Sequence, residues 1–153
     1  MPFSPEDTAF MREALAAARA SADAGEVPVG AIVVLDGRVA GTGFNRTLTD
    51  RDPSGHAEIV ALRAAGRATG AARLPGATLY VTLEPCLMCL GAMVHARVER
   101  LVFGAADPQV GATALFAAVP VGRPGLNHRV TLEGGLLADE AADLLRAFFK
   151  ARR

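Results

Sequence analysis

Thr78-Leu79-Tyr80-Val81-Thr82-Leu83 running into Glu84-Pro85-Cys86-Leu87-Met88-Cys89 is the stretch that decides the fold. Its first six residues are mostly apolar or β-branched, and a short run of that kind before a breaker reads as a buried strand. Pro85 lacks the N–H that a ladder needs, so the strand ends there. Residues 86–97 read as a helix, and residues 101–103 return to strand character. Strand, helix and strand in that order make a crossover, the connection that parallel pairing requires.

Upstream, Ser4 and Pro5 followed by Glu6 and Asp7 form a helix start, with Ser4 as cap. Phe10, Met11, Ala14, Leu15 and Ala18 recur at helical spacing, and Gly25 closes the segment. Residues 29–35 are a β-rich run, Asp36-Gly37 is a two-residue hairpin signal, and residues 38–43 form the returning strand. The polar residues 45–55 read as a loop, after which His56 opens a helix that fades over residues 66–70. Downstream, residues 129–132 are a weaker strand. Residues 136–153 form an amphipathic helix with Leu137, Leu144, Leu145, Phe148 and Phe149 as its apolar side. Residues 105–125 hold three glycines and three prolines around Leu115 and Phe116 and predict no regular element. This order implies an α/β fold, a mixed sheet with helices on both faces.

The 153 residues are 51% apolar and 21% charged, which predicts one globular domain over 1–153. Sixteen basic and sixteen acidic residues cancel, so net charge gives no general reason for polyanion binding. Local charge differs: Arg146, Lys150, Arg152 and Arg153 crowd the C-terminal end, where they suit phosphate contacts. Two cysteines in a CxxC make no disulfide framework and point to metal or redox chemistry. No signal-peptide pattern or membrane-length apolar run occurs, so the expectation is a cytoplasmic protein without a membrane partner.

His56-Ala57-Glu58 and Pro85-Cys86-Leu87-Met88-Cys89 are the chemistry-bearing clusters. A catalytic zinc usually takes three protein ligands and leaves one position open. His56, Cys86 and Cys89 make three, and Glu58 is left to move protons. Both clusters open helices, whose N-termini favour thiolate. Two thiolates offset the metal's charge, so the site needs a carboxylate to help water lose its proton, and Glu58 suits that role. Alone, CxxC fits zinc and redox use equally, and His95 or His128 would complete a closed structural site. The two clusters together match the zinc deaminase signature.

Longer stretches resemble the bacterial tRNA adenosine deaminases. They include Glu26-Val27-Pro28-Val29-Gly30-Ala31, Asn45-Arg46, His56-Ala57-Glu58-Ile59, and Thr78 onward to Cys86. Met88-Cys89, Gly91-Ala92-Met93, Val102-Phe103-Gly104-Ala105 and Pro124-Gly125-Leu126-Asn127-His128-Arg129-Val130 continue the likeness. Leu137-Ala138-Asp139-Glu140 and Phe148-Phe149 carry it to the C-terminal end. The resemblance implies a cytidine deaminase-like fold, three-layer α/β/α around a five-stranded mixed sheet, and a homodimer. It implies one Zn2+ per chain on His56, Cys86 and Cys89, with Glu58 as proton shuttle and no organic cofactor. The implied reaction is hydrolytic deamination of adenosine to inosine at the wobble position of a tRNA anticodon stem-loop. Activated water would attack C6 there.

The resemblance also makes Asn45 a reader of the flipped adenine, and gives Asp107, Phe148, Arg152 and Arg153 to the anticodon loop. Each has a plainer reading. Asn45 is a turn former, Asp107 caps a loop before Pro108, Phe148 is core, and the arginines are a solvated tail. The chain departs from the family in residues 108–116, which lack Gly-Ser-Leu, and at Arg123, where a histidine is usual. A zinc deaminase of a free base or nucleoside, of guanine or cytosine type, is the alternative activity.

Overall fold

A computed structural model describes residues 3–153. Helix α1 (Pro5–Asp23) starts on a reciprocal capping box, in which the Ser4 hydroxyl accepts from Asp7 N and the Asp7 carboxylate accepts from Ser4 N. Strands β1 (Gly30–Leu35) and β2 (Arg38–Phe44) follow. They are joined through Asp36 and Gly37 at φ 53° and 74°, the pair of positive values that a right-twisted two-residue hairpin needs. Helix α2 (Ala57–Thr69), strand β3 (Thr78–Leu83), helix α3 (Leu87–Ala96) and strand β4 (Arg100–Ala105) follow in turn. A short helix α4 (Thr113–Ala117), strand β5 (Thr131–Gly134) and helix α5 (Ala138–Ala151) complete the order.

The sheet runs β2-β1-β3-β4-β5. Strand β1 is antiparallel to both neighbours, while β3, β4 and β5 are parallel, so the sheet is mixed and five-stranded. Side chains alternate between two cores, as a period of two demands. Ala31, Val33, Leu79 and Val81 face α2 and α3, whereas Ile32, Val34 and Tyr80 face α1 and α5. Three layers result. The backbone of α2 lies almost on β2, since a Cβ on Gly43 would stand 2.5 Å from Ala57 O and 2.5 Å from Ala61 N. That contact sets the height of the first turn of α2 over the sheet.

The other core is edged by a partly buried ion pair. Asp7 accepts from Tyr80 Oη at 2.7 Å and from Arg100 Nη1 and Nη2 at 2.7 and 3.0 Å. Arg100 also donates to Glu133 at 2.9 and 3.2 Å, so α1, β3, β4 and β5 meet in one network. The Arg100 guanidinium holds the Asp7 carboxyl well below the usual carboxylate range, against the opposing effect of burial.

Three expectations need correction. The last strand starts at Thr131, two residues beyond the expected start at Arg129, because its register follows β4 through Arg100↔Thr131. Residues 113–117 are helical although no element was expected there. Helix α5 begins at Ala138, with Leu137 in the left-handed region at φ 53°, and its stripe buries Ala141 and Phe148 but leaves Phe149 47% exposed.

Candidate metal centre and substrate pocket

His56 and Cys86 are the residues that precede the first turns of α2 and α3. Both have extended backbone, and neither side chain caps its own helix, so both are available for another partner. Cys89 lies in the first turn of α3 and is fully buried. The three donor atoms lie within 4.8 Å of one another. His56 Nδ1 is 3.6 Å from Cys86 Sγ and 3.6 Å from Cys89 Sγ. Zinc bonds of about 2.3 Å to sulfur and about 2.0–2.1 Å to nitrogen, at a tetrahedral angle, put nitrogen and sulfur about 3.6 Å apart. The spacing therefore fits one zinc, and two helix N-termini converge on it.

The three donors are coupled to one another electrostatically. Hydrogen bonds from Cys89 and then from His56 bring the Cys86 thiol down to about 3. The same contact with Cys86, aided by burial, pushes Cys89 up, and the Cys86 contact raises His56. Among the described residues no other group of three candidate ligands occurs. His128 Nε2 lies 2.7 Å from Val98 O, and neither it nor His95 belongs to the group of donors. Three protein donors are the number that a catalytic zinc takes.

A pocket of about 220 Å³ lies over this group. Drug-sized sites run to roughly 300–1,000 Å³, so this one has room for a single flat ring. His56, Glu58 and Cys86 are joined in its wall by Val27, Val29, Asn45, Thr47, Asp107 and Val110. It opens where β1 begins and β3 ends, which antiparallel pairing brings to one edge. Glu58, in the first turn of α2, is only 4% exposed and lies against Cys89. Burial pushes its carboxyl above the ordinary range.

The expected substrate residues divide into two groups. Asn45 and Asp107 both line the pocket. Asn45 Nδ2 donates to Val27 O at 3.4 Å. Asp107 Oδ1 accepts from Gln109 N at 3.0 Å and Val110 N at 3.3 Å, the loop-capping role foreseen for it. Its second oxygen has no partner among the described residues. Phe148, Arg152 and Arg153 are not in the pocket wall. Phe148 is 8% exposed and covered by the Arg152 guanidinium at 3.5 Å, in keeping with its plainer reading as core, while Phe149 is 47% exposed.

Sequence reasoning gave no role to Glu26 and Glu84. Glu26 is fully buried and accepts from Leu48 N, Thr49 N and Thr49 Oγ1. Glu84 accepts from Asp107 N, Thr113 N and Thr113 Oγ1. Their signal was present as a single carboxylate beside an apolar run, Val27-Pro28-Val29 in one case and the strand before Pro85 in the other.

Comparison with known proteins agrees with this geometry. Residues 4–105 match the cytidine and deoxycytidylate deaminase zinc-binding region. A tRNA-specific adenosine deaminase of Agrobacterium fabrum is 46% identical over 148 residues, covering 97% of each chain. A structure from studies of A-to-I editing by tRNA:A34 deaminases at the wobble position of transfer RNA superposes with TM-score 0.84. It is 45% identical and covers 90% of this chain and 99% of its own. A guanine deaminase of Nitrosomonas europaea is more distant, with TM-score 0.75 and 28% identity over 95% of this chain and 84% of its own. The chain thus belongs to the tRNA-specific adenosine deaminases, within the zinc-dependent cytidine and deoxycytidylate deaminase family.

Proposed function

We propose that this protein deaminates the wobble adenosine of a tRNA anticodon, converting adenosine and water to inosine and ammonia. The observation that carries the reading is a His56, Cys86 and Cys89 triplet with zinc spacing under a pocket sized for one base. Residues 1–153 act as a single deaminase domain. His56, Cys86 and Cys89 would hold the metal, and zinc bound there would supply Lewis acidity toward water near neutral pH. Glu58 is the group placed to carry protons to the ring nitrogen and the departing amine. Its burial keeps this carrier away from bulk solvent.

A base must leave its stack to reach such a floor, and a loop nucleotide flips more easily than a paired one. Asn45 meets the base edge. Asp107, with one oxygen engaged by its own loop, offers the other to the ribose 2′-hydroxyl, a contact that selects RNA. Arg153 and the outward Phe149 suit the anticodon backbone and a stacked base, and Arg152 is positioned by Phe148. A second copy of the chain covers exposed apolar residues at α3 and α4, among them Leu87, Met88 and Leu115, which are 54%, 41% and 60% exposed. Among the described residues no helix is long and apolar enough to cross a membrane. The cytoplasm, where tRNA resides, is the proposed compartment.

The test is inosine detection after purified protein meets an anticodon stem-loop RNA, alongside ammonia release from free nucleosides and bases. Inosine in the RNA is expected. Ammonia from free guanine or cytosine with unchanged RNA would overturn the reading in favour of the free-base alternative. Light scattering at micromolar concentration should give twice the chain mass; a monomer would remove the dimer.

A further inference from the structure

We infer that Glu26 and Glu84 are a matched pair of positioning residues, each a carboxylate that fixes one wall of the pocket mouth before RNA arrives. The inference rests on the RNA deaminase reading for its activity assay, and on hydrogen bonds for its geometry. Glu26 Oε1 accepts from Leu48 N at 3.2 Å, and Oε2 accepts from Thr49 N and Thr49 Oγ1, both at 2.6 Å. Glu84 Oε1 accepts from Asp107 N at 3.1 Å, and Oε2 accepts from Thr113 N at 3.1 Å and Thr113 Oγ1 at 2.6 Å. The two sets of donors are the same in kind: two main-chain N–H groups and one threonine hydroxyl.

A carboxylate taken out of water is destabilising unless its oxygens are hydrogen-bonded. Glu26 is fully buried and makes no salt bridge among the described residues, so its loop contacts are what satisfy it. The carboxylate and the loop therefore hold each other. The loop tied by Glu26 carries Asn45 and Thr47, and the loop tied by Glu84 carries Asp107 and Val110, all of them in the pocket wall. Each carboxylate also adjoins a fixed part of the site. Glu26 precedes Val27, whose carbonyl receives Asn45 Nδ2, and Glu84 precedes Pro85, whose carbonyl receives Ala112 N at 3.0 Å.

Surface loops beside a mouth are ordinarily mobile. A site that is competent only part of the time binds with an affinity reduced by that fraction. The two carboxylates keep the fraction high. Their contribution falls on substrate capture, leaving the metal and Glu58 to the chemical step.

The test uses full-length, zinc-loaded protein carrying Glu26→Gln, Thr49→Val or Thr113→Val, none of which lines the pocket. The amide introduced by Glu26→Gln would turn an N–H donor toward donors, and each valine removes one hydroxyl without changing shape. A hydrogen bond to a charged group is strong enough that its loss shifts an equilibrium roughly tenfold. KM for the stem-loop should rise about that much, with kcat within about twofold and zinc unchanged. Thr49→Ser should restore KM. Without RNA, amide exchange should quicken at Leu48 and Thr49, or at Asp107 and Thr113, according to the carboxylate disturbed. Unchanged exchange, unchanged KM, or a fall in kcat at constant KM would each overturn the inference. Should Glu26→Gln fail to fold, the two threonine variants decide. Should the wild-type protein make no inosine, the function reading fails, and exchange alone still decides whether the carboxylates hold the loops.

Discussion

Gly43→Ala perturbs the catalytic turn from beneath. The new Cβ would stand 2.5 Å from Ala57 O and 2.5 Å from Ala61 N, where ordinary contact begins at 3.4 Å. Both partners are backbone atoms of α2, so no side-chain rotation relieves the overlap. The helix must rise from β2 by about 0.9 Å, the shortfall from normal contact. Overpacking of this kind costs about 1–3 kcal/mol. For a chain of this size that is a fall in Tm of roughly 2–12 °C. The residues lifted are the turn that follows His56 and contains Glu58. A misplacement near 1 Å reduces turnover by about 10²-fold, so kcat should drop by about one to two orders of magnitude. Thermal unfolding of the zinc-loaded protein, zinc stoichiometry and single-turnover deamination of the stem-loop measure the three consequences. Unchanged Tm together with unchanged kcat would refute the claim that contact of α2 with β2 sets the height of the site.

Glu58→Ala should retain one zinc per chain and lose about 10²- to 10⁴-fold in kcat, whereas Cys86→Ala or His56→Ala should lose the metal in elemental analysis. Asp7 sits below its unfolded pKa of about 3.9, so its contribution to stability is present above that value and disappears as pH falls beneath it. Asp7→Asn should cost about 1.5–3 kcal/mol at neutral pH, the range for losing hydrogen bonds to a charged group, because Arg100 keeps Glu133 as a partner, and should flatten the acid limb of the stability–pH curve in denaturant titrations. Replacing Arg152 and Arg153 with alanine should weaken stem-loop binding and reduce its salt slope by about 0.7–0.9 for each phosphate no longer neutralised; an unchanged slope would remove α5 from the RNA interface. Asp107→Asn should narrow the preference for the RNA loop over its DNA counterpart, measured by competition, with the salt slope unaltered.

Short-range signals were enough for the elements that local forces make. The Ser4 and Asp7 box, the Asp36-Gly37 turn and the Pro85 stop each act within a few residues, and the elements beside them appear where expected. The metal triplet was legible for a similar reason: each ligand cluster opens its own helix, and only one long-range meeting is needed. Helix α4 was not legible, because its first amide and Thr113 hydroxyl depend on Glu84, 29 residues earlier. The start of β5 likewise depends on pairing with Arg100 and not on the propensity of Arg129. Phe148 and Phe149 differ by one step of about 100°, and only docking of α5 decides which of them is covered. Glu26 and Glu84 look like ordinary surface acids until the loops that enclose them are in place.

The position of β3 between β1 and β4 also gives this molecule a history. The β1–β2 hairpin needs only neighbours, and such hairpins close in about 1–10 μs. With α2 it can form while the rest of the chain is still being made. Strand β3 then pairs with a strand about 50 residues earlier, Ala31 against Val81. Cys86 follows His56 by 30 residues. At a synthesis rate of about 5–20 residues per second, the imidazole emerges roughly 2–6 s before its thiol partners. The donor set is therefore unfinished for seconds on the nascent chain, and it is complete only once α3 follows β3.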